Sequence, residues 1–247
     1  MRKSYKLFLG FCFLITPICC SSDKPLIFEP WNGLFSLRQT ESNDTISVSG
    51  LFYGSGRIFI YNLAEGKMAV FSEEGKLVES VTLASIGRNT YVGDDFIVTD
   101  GRIVFLNTVD KTLEFFDQKS GRHLKSLPYP QDALNGSQSR MERFITGIFL
   151  EAGRIMLGNA GQMFFFDEST GTVAEKERIV SARPDEKLLL PKVVLCPGND
   201  IMIDGRKKGK QPPTHYPVSG KRNLLLRGTL YALVLDKRGV SVLPVRQ

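Results

Sequence analysis

Three stretches of the chain restate one another. "GRIFIYNLAEGKMAVFSEEGKLVESV" begins at Gly56, "GRIVFLNTVDKTLEFFDQKSGRHLKSL" at Gly101 and "GRIMLGNAGQMFFFDESTGTVAEKERI" at Gly153, which sets Arg57, Arg102 and Arg154 45 and 52 residues apart. A fourth, more degenerate copy, "GTLYALVLDKRGVSVLPV", begins at Gly228, with "LVLDKRG" in the place of "FFDQKSG". Self-similarity at a period of roughly 40 to 50 residues points to stacked structural units rather than one irregular core.

Each copy carries the same punctuation. An apolar run rich in Ile, Phe, Val and Met ends at Asn62, Asn107 or Asn159; a second ends at Asp117, Asp167 or Asp236, with Ser72 in the first copy, and a Gly follows. Short apolar runs separated by turn residues are strands. The Asp side chain accepts hydrogen bonds from backbone N–H groups two residues on, and Gly121, Gly171 and Gly239 are expected at positive φ, which closes a tight turn at no steric cost. One Asp and one Glu in "DESTG" supply too few oxygens for a calcium loop. A further apolar stretch precedes each copy, at 45–53, 95–100, 144–152 and 192–198, and another follows the turn, as in "KLVESVTL" and "RHLKSLPY". Four short strands in about 45 residues make one blade of a β-propeller. No stretch after the first twenty residues has the period of a long amphipathic helix, so helical solenoids are excluded.

The expected fold is therefore all-β: a β-propeller of about four to five four-stranded antiparallel blades in a domain spanning 23–247, with blades at roughly 45–83, 92–128, 144–180 and 192–246. The succession of apolar strand, Asp, two or three residues, Gly and second strand in "FFDQKSGRHL" and "FFDESTGTVA" resembles the blades of quinoprotein-like and surface-layer-like bacterial β-propeller repeat proteins, and more loosely WD40-like blades. The resemblance covers residues 45–246 and implies a fold, not an activity. Quinoprotein enzymes follow the Gly with a Trp that docks neighbouring blades, whereas the only Trp here, Trp31, lies outside every copy. No quinone, and no other cofactor, is expected. The ring is either incomplete, closed by the segment "PLIFEPWNGLFSL" at 25–37, or completed by association of two chains, since an open blade edge favours a homo-oligomer.

The first twenty residues read as a signal peptide. Arg2, Lys3 and Lys6 form a basic head, and Leu7 to Ile18 form an apolar run too short to span a bilayer comfortably. Cys20 and Cys19 stand where a bacterial lipoprotein signal places its lipidated Cys, so the chain is expected in the cell envelope, held to the membrane by a lipid at Cys20 or Cys19. The alternative is a soluble periplasmic or secreted product cut before Asp23. Of four Cys, only Cys196 then remains, and no intramolecular disulfide is possible. Loss of Arg2, Lys3 and Lys6 lowers the formal net charge from +6 to about +3, too weak a field to argue for nucleic acid.

Catalytic material is thin. His123 and His215 are the only histidines, so a histidine metal cluster is excluded and a Ser-His-acid triad needs long-range proximity. The recurring Asn and Arg positions are expected to cap turns and to bridge blades. Equivalent turn positions are 45 residues apart from Ser72 to Asp117, 50 to Asp167 and 69 to Asp236, so the last blade is expected to hold an insertion of about twenty residues, "DGRKKGKQPPTHYPVSGKR" at 204–222. Its Arg206, Lys207, Lys208, Lys210, Lys221 and Arg222 form the candidate site for an anionic envelope partner or an acidic protein, on a loop beside the potential ring faces of His215 and Tyr216. The leading expectation is a binding or scaffolding module. The alternative is a propeller enzyme, lactonase-like or sugar-oxidising, with carboxylate and Asn ligands around the central channel.

Overall fold

The computed structural model describes residues 24–39, 45–46, 48–84, 95–129, 145, 147–158, 163–175, 193–196, 200–203, 206–210, 212–216, 218 and 220–245, and these contain no helix. Strand β1 (Ile27–Pro30) is followed by two short paired strands, β2 (Arg38–Gln39) and β3 (Thr45–Ile46). Blade 1 comprises β4 (Val48–Gly54), β5 (Arg57–Asn62), β6 (Lys67–Ser72) and β7 (Leu77–Thr82). Blade 2 comprises β8 (Asp95–Thr99), β9 (Arg102–Asn107), β10 (Thr112–Asp117) and β11 (His123–Pro128), and blade 3 comprises β12 (Gly147–Glu151), β13 (Arg154–Gly158), β14 (Met163–Asp167) and β15 (Thr172–Glu175). All three are antiparallel meanders. The sequence repeat is the blade.

The last repeat folds differently from the expectation. Residues 192–246 make not one sheet but two: a three-stranded sheet of β16 (Val193–Cys196), β17 (Asp200–Ile203) and β18 (Arg206–Lys210), and a closing blade of β19 (Asn223–Leu226), β20 (Thr229–Leu235) and β21 (Gly239–Pro244). The fourth strand of the closing blade is β1, paired antiparallel with β21 from Ile27↔Val242 to Pro30↔Gly239. The segment 25–37 thus supplies the closing strand. Because the outermost strand arrives from the other end of the chain, no turn follows the third strand of this blade. "DKRG" is instead the hairpin between the second and third strands, equivalent to "NLAEG" and not to "DQKSG". The long spacing before Asp236 reflects the extra sheet rather than a loop, and part of the expected loop, 206–210, is strand β18.

Burial on both faces explains why the Arg-Ile runs are solidly apolar instead of alternating. On β5, Ile58 and Ile60 enter a core shared with the closing blade, including Leu224, Leu233, Leu235 and Val242. Phe59 and Tyr61 enter a second core, shared with Phe96, Ile103 and Phe105 of blade 2. On β9, Val104 and Leu106 turn the other way, against Ile148, Ile155 and Leu157 of blade 3. Four blades are therefore fused in the order closing blade, 1, 2, 3. Within this series β4 and β8 lie side by side, as do β8 and β12, while β19 lies beside β4.

The turn after the third strand follows the expected chemistry in blades 2 and 3. Ser120 N donates to Asp117 Oδ1 at 2.7 Å and Ser169 N to Asp167 Oδ1 at 2.8 Å, with Gly121 and Gly171 both at φ 67°. The Ser120 and Ser169 hydroxyls, with these amides, hold the two carboxyls below their ordinary range. Gly239 departs from expectation: it is not among the residues at positive φ, and begins β21, where a Cβ would stand 2.1 Å from Glu29 O. Glycine is required there for close approach to β1.

The same turns dock neighbouring blades. A Cβ on Gly121 would lie 2.0 Å from Thr82 O at the end of β7, and one on Gly75, at φ 78°, would lie 1.8 Å from Leu26 O just before β1. Gly121 O in turn accepts from Ala84 N at 2.9 Å. Backbone-to-glycine contacts thus dock blade 2 on blade 1 and blade 1 on β1.

Candidate functional site

The inner strands β4, β8, β12 and β19 begin at one end of the propeller, and there the closing blade reaches across blade 1. The lead-in to β19 runs along β4, where Gly220 N donates to Ser49 O and Leu51 N to Lys221 O. Gly50 permits this approach, since a Cβ there would sit 3.0 Å from both Lys221 N and Lys221 O. The route carries Lys221 to blade 2. Its Nζ donates to Asp95 Oδ2 at 2.6 Å and to Phe96 O at 3.2 Å, and stands 5.1 Å above the centre of the Phe149 ring on blade 3.

Asp95 is 3% exposed, yet its carboxylate is satisfied. Besides Lys221 Nζ it accepts from Ile148 N at 3.2 Å, Phe96 N at 2.9 Å and Lys221 N at 3.4 Å. A buried carboxylate needs such a set, because desolvation would otherwise cost several kcal/mol. One residue pair therefore joins the closing blade to blades 2 and 3. In the sequence Lys221 stands out only as one of six basic residues, and nothing there points to Asp95, 126 positions away.

The candidate basic residues divide into two groups. Arg206, Lys207, Lys208 and Lys210 lie on β18, at one edge of the three-stranded sheet. Lys221 and Arg222 are engaged inside the protein instead of displayed on an arm. Arg222 donates to Pro212 O at 2.9 Å and to Leu233 O at 3.4 Å, and burial pushes its guanidinium down from its ordinary value. Residues 212–216 are likewise tied down: His215 N donates to Leu235 O at 2.7 Å, Leu235 N to Thr214 Oγ1 at 3.0 Å, and Tyr216 packs edge-on against Trp31 at 5.6 Å. Trp31 Nε1 donates to Asp236 O at 2.7 Å.

The repeated polar residues are structural where described. Asn107 Oδ1 accepts from Val109 N and Asp110 N, which caps the turn. Asn62 does something else, donating from Nδ2 to Leu34 O at 3.4 Å across the junction with the N-terminal segment. Arg102 bridges blades as expected, with its guanidinium 2.7 and 3.2 Å from the two Glu168 oxygens in the "DESTG" turn of blade 3. Arg227 of the closing blade grips Glu73 of blade 1 similarly, at 3.1 Å from Nε and 2.5 Å from the terminal nitrogen. Arg154 instead lies over the Phe165 ring at 3.9 Å. Asn159, Cys19 and Cys20 lie outside the described residues, and Cys196 is on β16.

Glu168 gives a pH prediction. Burial raises its carboxyl, but the hydrogen bond and charge of Arg102, then Lys125, outweigh this and hold it below the ordinary value. The pair therefore stabilises the fold at neutral pH and loses that contribution as pH falls through the folded value. Glu168→Gln is expected to cost about 1 kcal/mol or less at pH 7, because the partners are partly exposed. The difference in urea midpoint from wild type should begin to shrink once pH falls below the ordinary Glu value of about 4.3 and should vanish below the lower, folded value.

A Ser-His-acid cluster does exist on blade 2. His123 Nε2 is 3.0 Å from Glu114 Oε2 and 3.3 Å from Ser126 Oγ, while the Ser126 and Thr112 hydroxyls donate to the Glu114 carboxylate. Both contacts of the imidazole use the same nitrogen, and Ser126 points its proton at the acid, so a relay through the ring is not formed. The cluster satisfies Glu114, which is 3% exposed. Among the described residues no group of three or more His, Cys, Asp or Glu could hold a metal ion.

These elements define a β-propeller. No family model matches the chain, and no curated protein matches its sequence. Among solved structures, the glutaminyl cyclase of Myxococcus xanthus is similar at 14% identity and a TM-score of 0.39, over 81% of this chain and 72% of that one. Virginiamycin B lyase of Staphylococcus aureus is similar at 14% identity and a TM-score of 0.35, over 84% of this chain and 73% of that one. The hydrazine synthase of Kuenenia stuttgartiensis is similar at 10% identity and a TM-score of 0.35, over 80% of this chain, which spans 46% of that chain's length. Likeness at this level concerns the fold alone.

Proposed function

We propose that this chain is an exported, lipid-anchored β-propeller that serves as a binding or scaffolding module in the bacterial cell envelope. The observation that carries the reading is the order of features at the start of the chain: a basic head, an apolar run from Leu7 to Ile18, and Cys19 and Cys20, seven residues before the closing strand begins at Ile27. The Asp95–Lys221 pair at the inner-strand end also supports a binder over an enzyme, since the carboxylate there is already neutralised by the chain itself. Wild-type protein is expected to partition into detergent and to take up a fatty-acid analogue, and replacing Cys19 and Cys20 together by Ala should abolish both. Soluble, unlabelled wild type would refute the anchor.

The partner surface proposed is β18. Its four basic residues in "RKKGK" suit an anionic envelope surface, each worth about 1 kcal/mol near anionic lipid. Replacing Arg206, Lys207, Lys208 and Lys210 by Gln is expected to remove binding to anionic vesicles, and wild-type binding should fall steeply between low and physiological salt. Equal binding by both proteins would exclude β18 as the contact.

A further inference from the structure

Lys221 reads as a bound ligand as much as a side chain. Its ammonium meets the Asp95 carboxylate at 2.6 Å, the Phe96 carbonyl at 3.2 Å and the face of Phe149 at 5.1 Å. These groups belong to blades 2 and 3, whereas Lys221 belongs to the lead-in of the closing blade, which is bonded through its backbone to blade 1. We propose that Asp95, Phe96 O and Phe149 form a binding site for a primary ammonium group, occupied in cis by Lys221, and that this occupancy pins the lead-in of the closing blade to blades 2 and 3.

The chemistry selects the ligand class. A primary ammonium has three N–H donors around one compact charge, and the site offers a charged acceptor, a neutral acceptor and a negative ring face. A quaternary ammonium has no N–H for Asp95 or Phe96 O, and a guanidinium spreads its donors in a plane that one carboxylate oxygen and one carbonyl do not match. Asp95 is held ready by bonds that do not involve the lysine side chain, from Phe96 N and Ile148 N. The site should therefore persist when the lysine is shortened, independently of whether the chain is anchored.

The test is chemical rescue in the full chain. Lys221→Ala should melt at a lower temperature than wild type, and n-butylammonium chloride should restore roughly half or more of the loss along a saturating curve. Tetramethylammonium chloride at equal ionic strength should not, and the double variant Asp95→Asn, Lys221→Ala should gain nothing from butylammonium. Absence of saturable rescue, or equal rescue by the quaternary salt or in the double variant, would overturn the proposal. Should Lys221→Ala fail to fold, Phe149→Leu provides the second measurement, since that ring is 38% exposed. Hydrogen exchange at the Gly220 and Leu51 amides, which bridge the pinned segment and β4, should then accelerate several-fold while β10 amides stay as in wild type. Unchanged exchange at both amides would equally overturn it.

Discussion

Gly121→Ala is expected to cost about 4 kcal/mol or more, a large share of the roughly 5 to 15 kcal/mol that holds an ordinary domain folded. Two penalties combine at this position. The residue sits at φ 67°, where any Cβ strains the backbone by about 1 kcal/mol. In addition the new Cβ would lie 2.0 Å from Thr82 O and 2.9 Å from the carbon behind it, so blade 2 must move away from blade 1. Gly66→Ala isolates the first penalty, because Gly66 has φ 65° and nothing within 4 Å of a Cβ. It should cost about 1 kcal/mol. Gly171→Ala should resemble Gly66→Ala, since its nearest neighbour, Pro128 O, is 3.8 Å away. Urea midpoints of the three variants check this, and equal losses at Gly66 and Gly121 would show that the turn does not dock the blades.

A chain beginning at Arg38 is expected to lose the closing blade's integrity altogether. Such a truncation removes Ile27 and Phe35, 2% and 0% exposed, and with them the partners of β21. Burial of each large side chain is worth about 1.5 to 3 kcal/mol, before the strand pairing is counted. The truncation also uncovers Val240 and Val242, fully buried at present, and the unpaired edge of β21. An apolar open edge recruits other strands, so light scattering should report more association for the truncated chain than for the longer one. Phe35→Ala is the milder version and should cost about 3 to 5 kcal/mol without changing strand pairing. A truncated chain with an unchanged melting transition would exclude a structural role for the N-terminal segment.

Local chemistry is what the sequence carries plainly. The Arg-Ile runs, the Asn107 cap and the "DQKSG" and "DESTG" turns are each decided within a few residues, and the folded chain keeps them. The fourth copy misleads because its turn, "DKRG", is similar in composition to the others but joins different strands. Nothing near Asp236 signals that the outermost strand comes from Ile27–Pro30, more than two hundred residues upstream. The charge of "RKKGK" similarly masks a strand, since alternating burial is the usual strand signal and a basic run has none. Asp95 and Lys221 could not be paired by inspection: only the placement of β8, β12 and the lead-in to β19 brings them together. The docking role of Gly121 is hidden for the same reason, as its partner Thr82 O is a backbone atom of another blade.

Completion of the closing blade by the N-terminal strand is tested most directly by a disulfide between β1 and β21. Phe28 and Ser241 are Cα partners in that ladder, and directly opposed antiparallel residues lie within reach of a disulfide. In a background with the native cysteines replaced by Ser, Phe28→Cys with Ser241→Cys should oxidise within one chain. The product should run as a monomer with altered mobility that reductant reverses, and its urea midpoint should rise, since the bond would close a very long loop worth about 4 kcal/mol or more. Failure to oxidise, or oxidation only between chains, would contradict completion of the blade in cis.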